Sequence, residues 1–189
     1  MSRNPSFRII VMAGMVGVVW AFNTMSGWVP YKDEEAGYAL QFPGEPTESY
    51  YSDSSTVDAS KMKFVYYDAS NNAADSNLYY MGVYKKLPAG IRGTSHPDRL
   101  KGYFNAAVEG AANNVNGVLV TQKKIGYLGH PGRDFKILLP GGAQTISMRF
   151  ILVKDRSYLL QVIAKTEYQN NQHIRRFMGS LVLLDQLDP

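Results

Sequence analysis

The chain contains no cysteine. That absence excludes a disulfide framework, a thiolate zinc site, an iron–sulfur cluster and a lipid-modified cysteine, so packing alone must hold the fold together. Histidine is scarce as well, and His96, His130 and His173 fall in no H-x-x-x-H or comparable metal-binding spacing. Charge of one sign is also in short supply, with 20 Lys and Arg against 16 Asp and Glu. Two of the cations, Arg3 and Arg8, precede the first apolar run, and elsewhere basic residues meet only as Lys85-Lys86, Lys123-Lys124 and Arg175-Arg176. Nucleic-acid binders gather Lys and Arg on one face or in runs, so nucleic acid is not an expected partner. Neither an internal repeat nor a low-complexity tract is present. The segment LPGGAQT (139–145) lacks the lysine and the following helix of a phosphate loop, and no cofactor is expected.

Long hydrophobic runs are rare too, but there is one. Residues 9–22 contain nothing polar beyond small side chains, and no charge falls anywhere from Ile9 through Tyr31. The dense part is short for a membrane span, which needs about 17–25 residues, but extension to Trp28 brings it into that range. No A-x-A cleavage site follows Phe22, and Trp20 and Trp28 suit an interfacial aromatic belt, so the segment is read as an uncleaved anchor. Its expected anchor residues are Ile9, Gly14, Gly17, Trp20, Phe22 and Trp28, the glycines allowing a neighbouring helix to approach closely. Arg3 and Arg8 lie before the run and Asp33-Glu34-Glu35 after it. The expected location is therefore a bacterial inner membrane crossed once, with the N-terminus cytoplasmic. Residues 1–31 would form the cytoplasmic end and anchor, and residues 32–189 a periplasmic domain.

From Gly37 the pattern changes to short alternating runs, the signal for strands. GYALQFPGEP (37–46) reads as one strand, and KMKFVYYD (61–68) with LYYMGVYKK (78–86) as a hairpin pair joined by a polar loop. SHPDRLKGYFNAAVEGAANNVNG (95–117) switches period: Leu100, Tyr103, Phe104, Ala107, Val108, Ala111 and Val115 recur three or four apart, as on an amphipathic helix. Ser95 with Asp98 resembles a capping box, and Gly117 closes the segment. Four further strands follow, VLVTQKKIGYL, DFKILLP, QTISMRFILVK and SYLLQVIAK, the last two meeting in a tight hairpin at Asp155-Arg156. A second helix over 166–180 and a short strand LVLL end the pattern. The expected fold is α+β: a mainly antiparallel sheet of about seven strands with helices on both faces, preceded by one N-terminal transmembrane helix.

GYALQFPGEP, GHPGRDFKILLPGG, MRFILVKDRSYLLQVIA and RRFMGSLVLL together resemble the PsbP-like fold family over residues 37–184. Extrinsic photosystem subunits, a Ran-binding nuclear transport factor and small bacterial periplasmic proteins belong to that family. The shared motifs are turns and core positions, which specify fold better than function. The resemblance implies a non-enzymatic accessory, assembly or stabilising subunit of a photosynthetic or respiratory membrane complex, partnered by integral membrane subunits and membrane lipid. It supplies no catalytic residue.

GYLGHPGRDF (126–135) deserves separate weighing because it places His130, Arg133 and Asp134 on a Gly-rich stretch. Pro131-Gly132 favours a turn that sets Arg133 at the head of the next strand, which makes the segment a hairpin connection. The chain is also rich in tyrosine, 13 in all, with the doublets Tyr50-Tyr51, Tyr66-Tyr67 and Tyr79-Tyr80. Tyrosine suits interfaces because a large apolar body carries a polar tip. Tyr50, Tyr51, His130 and Arg133 are the candidate partner contacts. Two alternatives stay open: a periplasmic small-ligand or envelope-stress module, and a hydrolase built on His130 and Asp134.

Overall fold

The computed structural model describes residues 27–51, 62–88 and 90–184. Its strands are β1 (Val29–Asp33), β2 (Tyr38–Phe42), β3 (Thr47–Tyr51), β4 (Met62–Asp68) and β5 (Asn77–Lys86). Then come helix α1 (Pro97–Asn114), β6 (Val118–Tyr127), β7 (His130–Leu138), β8 (Gln144–Val153), β9 (Arg156–Lys165), helix α2 (Gln172–Gly179) and β10 (Val182–Leu183). This corrects the expected α+β layout. Among the described residues the fold is mainly β, with ten strands in two sheets rather than one sheet of about seven. The larger sheet runs β3-β4-β5-β9-β8-β7-β6 and the smaller β1-β2-β10, every neighbouring pair antiparallel.

The N-terminal expectation is corrected as well. Among the described residues no helix is long and apolar enough to cross a membrane, which overturns the single-pass inner-membrane location. Ile9, Gly14, Gly17, Trp20 and Phe22 lie outside the described residues. Trp28, expected at a membrane interface, packs instead into the folded domain. Its ring meets Tyr80 and His173 edge-on at 6.0 and 5.7 Å, and the Arg176 guanidinium lies 4.4 Å from its centroid. The next residues form β1, whose proline and charges hid it from the alternation test.

Local chemistry explains most boundaries. Helix α1 starts with Pro97 in its first turn, where a missing N–H costs nothing, and its cap is His96 rather than Ser95, with Nδ1 accepting from the Asp98 amide at 3.4 Å. It stops because Asn116 enters the left-handed region (φ 50°) and the Gly117 amide turns back to the Ala112 carbonyl at 2.9 Å. The β6–β7 reversal lies at Leu128-Gly129, both with positive φ, so the turn falls two residues before Pro131 and His130 already pairs with Tyr127. Gly132 is consequently a strand residue. It is glycine because an added Cβ would stand 2.8 Å from the Phe150 carbonyl oxygen of the neighbouring strand.

Alternation along the large sheet feeds two separate cores. On one face Phe135, Ile137, Ile146, Met148, Phe150 and Leu152 pack under Phe104 and Val108 of α1. On the other, Tyr80, Ile151, Tyr158, Leu160 and Val162 pack under the small sheet and under Ile174 and Phe177 of α2. The two covers are offset: α1 lies over β6 and β7, whereas α2 and its partner strands lie over β5 and β9. Each face of the sheet is therefore left open at the opposite end.

A charged clasp seals the small sheet to the edge of the large one. Lys63 Nζ lies 2.7 Å from Asp33 Oδ2 and 3.1 Å from Glu48 Oε1, and the Tyr31 hydroxyl donates to Glu48 at 2.7 Å. Burial by itself would raise the Asp33 carboxyl, but hydrogen bonds from Lys63 and the Ala36 amide outweigh it and hold the group below its usual range. A depressed carboxylate contributes stability above its unfolded pKa of about 4, and loses it as pH falls through the folded value. In Lys63→Met the buried Asp33 loses its cation. Urea denaturation should show a stability deficit against the parent that is greatest at pH 7 and shrinks as Asp33 protonates below about pH 4.

Candidate functional site

Adjacent residues of a strand point to opposite sides, so each tyrosine doublet is split between the two faces of the sheet. Tyr67 and Tyr80 turn inward to the α2-side core, and Tyr50 turns toward the Lys63 clasp, its hydroxyl donating to Glu48 at 3.1 Å. Tyr51, Tyr66 and Tyr79 turn the other way. Strand register then gathers them: Tyr51 stands opposite Met62, Tyr66 opposite Met81, and Phe64 lies between on the same face. Tyr66 and Tyr79 stack with centroids 5.4 Å apart and planes 18° from parallel.

The resulting surface of Tyr51, Met62, Phe64, Tyr66, Tyr79 and Met81 lies on the α1 side of the sheet, at the end α1 does not cover. None of the six belongs to either core cluster, and Tyr51 is 58% exposed. Burial and the neighbouring Tyr66 and Asp68 push the Tyr79 phenol above its ordinary value, so it stays neutral and able to donate a hydrogen bond. Large apolar bodies, adaptable methionines and phenol hydroxyls on a rigid sheet suit contact with another protein. Of the residues singled out by sequence, Tyr51 belongs to this surface and Tyr50 lies on the other side of its strand.

His130 and Arg133 lie elsewhere, on β7, separated from β3 by four intervening strands. Arg133 is buried, its guanidinium 5.4 Å from the Phe104 ring centroid under α1. Asp134, the next residue, faces the opposite side and is gripped by Arg149 through two contacts of 2.8 Å. His130 shares that side but sits four strand residues from Asp134, roughly 13 Å along the strand. The three residues that looked like a constellation in sequence thus do not converge. Burial, then the Lys154 charge, lowers the His130 pKa.

A polar hub with no signal in the sequence ties the β4–β5 loop to α2. Asp75 accepts from the Tyr80 hydroxyl at 2.7 Å and from the Asn77 amide at 2.9 Å, and His173 Nδ1 lies 3.2 Å from it. Asn171, the α2 cap, donates to Asn77 at 2.7 Å. Its members come from segments 94 and more residues apart, which no local pattern joins. Among the described residues no group of three His, Cys, Asp or Glu is placed to hold a metal ion.

No protein-family model and no curated protein matches the chain. Among solved structures, the solution structure of cyanobacterial PsbP (CyanoP) from Synechocystis sp. PCC 6803 superposes with a TM-score of 0.55, covering 91% of this chain and 97% of that one at 10% identity. The fold is PsbP-like. A Pseudomonas aeruginosa protein of unknown function covers 82% of the chain at 12% identity with a TM-score of 0.44, too distant to carry an argument. At such identity the likeness shows the fold alone.

Proposed function

We propose that this PsbP-like chain is a non-catalytic accessory subunit that docks onto a larger protein assembly through the Tyr51, Met62, Phe64, Tyr66, Tyr79 and Met81 face. The observation that carries the reading is the segregation of the tyrosine doublets, which sends Tyr67 and Tyr80 to the core and Tyr50 to the Lys63 clasp, and lines up Tyr51, Tyr66 and Tyr79 with two methionines on a sheet surface that is half-exposed and outside both cores. Buried aromatic anchors of this kind supply most of the energy of protein interfaces. None of the six residues is Lys or Arg, and Lys85 farther along β5 is a single cation on that side, which suits a protein rather than nucleic acid. The proposed partner is a subunit of a larger membrane complex, the class implied by the sequence resemblance.

A photo-crosslinking residue at Tyr79 tests the proposal in native cells, with the same residue at exposed Val118 on the opposite edge strand as the control. One discrete adduct at position 79, absent at 118 and lost in a Met81→Asp background, is the expected result. Once the partner is purified, Tyr66→Ala should weaken binding about 30-fold or more, the loss of roughly 2 kcal/mol typical of an anchor residue. Identical adducts at both positions, or adducts indifferent to Met81→Asp, would overturn the reading.

A further inference from the structure

The other open end of the sheet lies on the α2 side, where β6, β7 and β8 form the floor of a groove of ≈ 530 Å³ walled by α2. We infer that this groove binds a small organic anion with a short apolar body, an aliphatic carboxylate of medium length being the simplest member of the class.

Register builds the floor in two rungs. Thr121, Lys136 and Ser147 stand side by side on β6, β7 and β8, and Lys123, Asp134 and Arg149 form the next rung. The second rung is internally balanced at Asp134, because Arg149 holds both its carboxylate oxygens. With the carboxylate so occupied, Lys123, Lys136 and Arg175 remain as excess positive charge around the groove. Lys136 donates to the Gln169 carbonyl at 2.9 Å and to the Asn170 side chain, leaving one of its three protons unassigned. Directly opposite it, Ser147 is 5% exposed, and its hydroxyl makes no hydrogen bond among the described residues. Buried hydroxyls are nearly always bonded, so an unpartnered one on a groove floor is a donor in want of an acceptor. Cross-strand neighbours have Cβ atoms about 5 Å apart, close enough for Ser147 and Lys136 to donate to two oxygens of one carboxylate.

The apolar part of the ligand is read from the wall. Ile174 and Met178, one helical turn apart on α2, both line the groove. Burial lowers the Lys136 pKa, in keeping with a partly desolvated ammonium that gains from an anion beside it. This site lies on the opposite face and at the opposite end of the sheet from the aromatic surface. Its test is therefore independent of the docking proposal.

Titration of the ¹⁵N-labelled chain with octanoate, octanol and inorganic phosphate separates the contributions. Octanoate is expected to give saturable shifts at Lys136, Ser147 and Ile174 and to bind about tenfold more tightly than octanol, which lacks the charge, or phosphate, which lacks the chain. Lys123→Glu and Ser147→Ala should each weaken octanoate by about fivefold or more. Both should keep the melting temperature within about 3 °C of the parent, as Lys123 is exposed and Ser147→Ala removes a group with no bond to lose. Three results would overturn the inference. They are no saturable shift up to about 10 mM, a regime weaker than about 3 kcal/mol of binding; octanol or phosphate binding as tightly as octanoate; or octanoate affinity unchanged in both variants. Shifts produced only by an acidic peptide would likewise overturn it, in favour of a protein segment as the occupant.

Discussion

Truncating Phe177 to alanine should lower the free energy of unfolding by about 4 kcal/mol, within the range for a fully buried phenylalanine. The side chain has no exposed surface. Its ring lies 5.1 Å from Phe42 of the small sheet and 5.3 Å from Tyr80 of the large one, both in tilted or edge-on geometry. It therefore joins α2 to both sheets, and its loss opens a cavity that rigid strands on two sides resist filling. For a chain of this size the expected fall in melting temperature is about 8–16 °C. Phe177→Leu, which keeps much of the volume, should cost only about 1–1.5 kcal/mol. Urea denaturation of the two variants decides the point, and equal small losses would show that α2 is held by something other than this ring.

Asp75→Ala should cost about 3 kcal/mol, because one carboxylate satisfies several buried donors at once. The Asp75 side chain is 1% exposed, and its removal strips an acceptor from the Tyr80 hydroxyl, the Asn77 amide and side chain, and His173. Burial and the Asp75 hydrogen bond raise the Tyr80 pKa, so the phenol is a neutral donor throughout the working pH range. Tyr80→Phe removes the donor together with its need for an acceptor and should cost only about 1 kcal/mol. Because the two residues share a bond, the double variant should fall short of the summed single losses by about 0.5 kcal/mol or more. A loss below about 1 kcal/mol for Asp75→Ala would mean that water replaces the carboxylate in the hub.

The residues that misled the sequence reading did so for identifiable reasons. Pro131-Gly132 has the composition of a turn, but Leu128-Gly129 makes the reversal, and Gly132 answers to the nearness of Phe150 across the strand. Trp28 ends an apolar run that suits a membrane, yet its contacts come from Tyr80, His173 and Arg176. β1 and β3 carry proline, charge or a run of polar residues, and their pairing is supplied by neighbours rather than by their own alternation.

What the sequence determined unaided was the set of patterns confined to a few residues: the β4–β5 and β8–β9 hairpins, the apolar stripe of α1, a second helix expected over 166–180 and formed over Gln172–Gly179 after a separate 3-10 turn at Thr166–Tyr168, and turn motifs that resemble the PsbP-like family. Side-chain direction alternates every residue in a strand and recurs every three or four in a helix, so these elements are encoded locally. Tertiary structure alone decided that Arg133 and Asp134 serve different faces, that Tyr67 and Tyr80 join a core while Tyr66 and Tyr79 do not, and that Asp75 meets His173. It also decided the offset of α1 against α2 and the small sheet, from which both the aromatic surface and the cationic groove arise. The physical reason is that burial depends on which distant segment covers a strand, and a covering element leaves no mark on the spacing of the residues it covers.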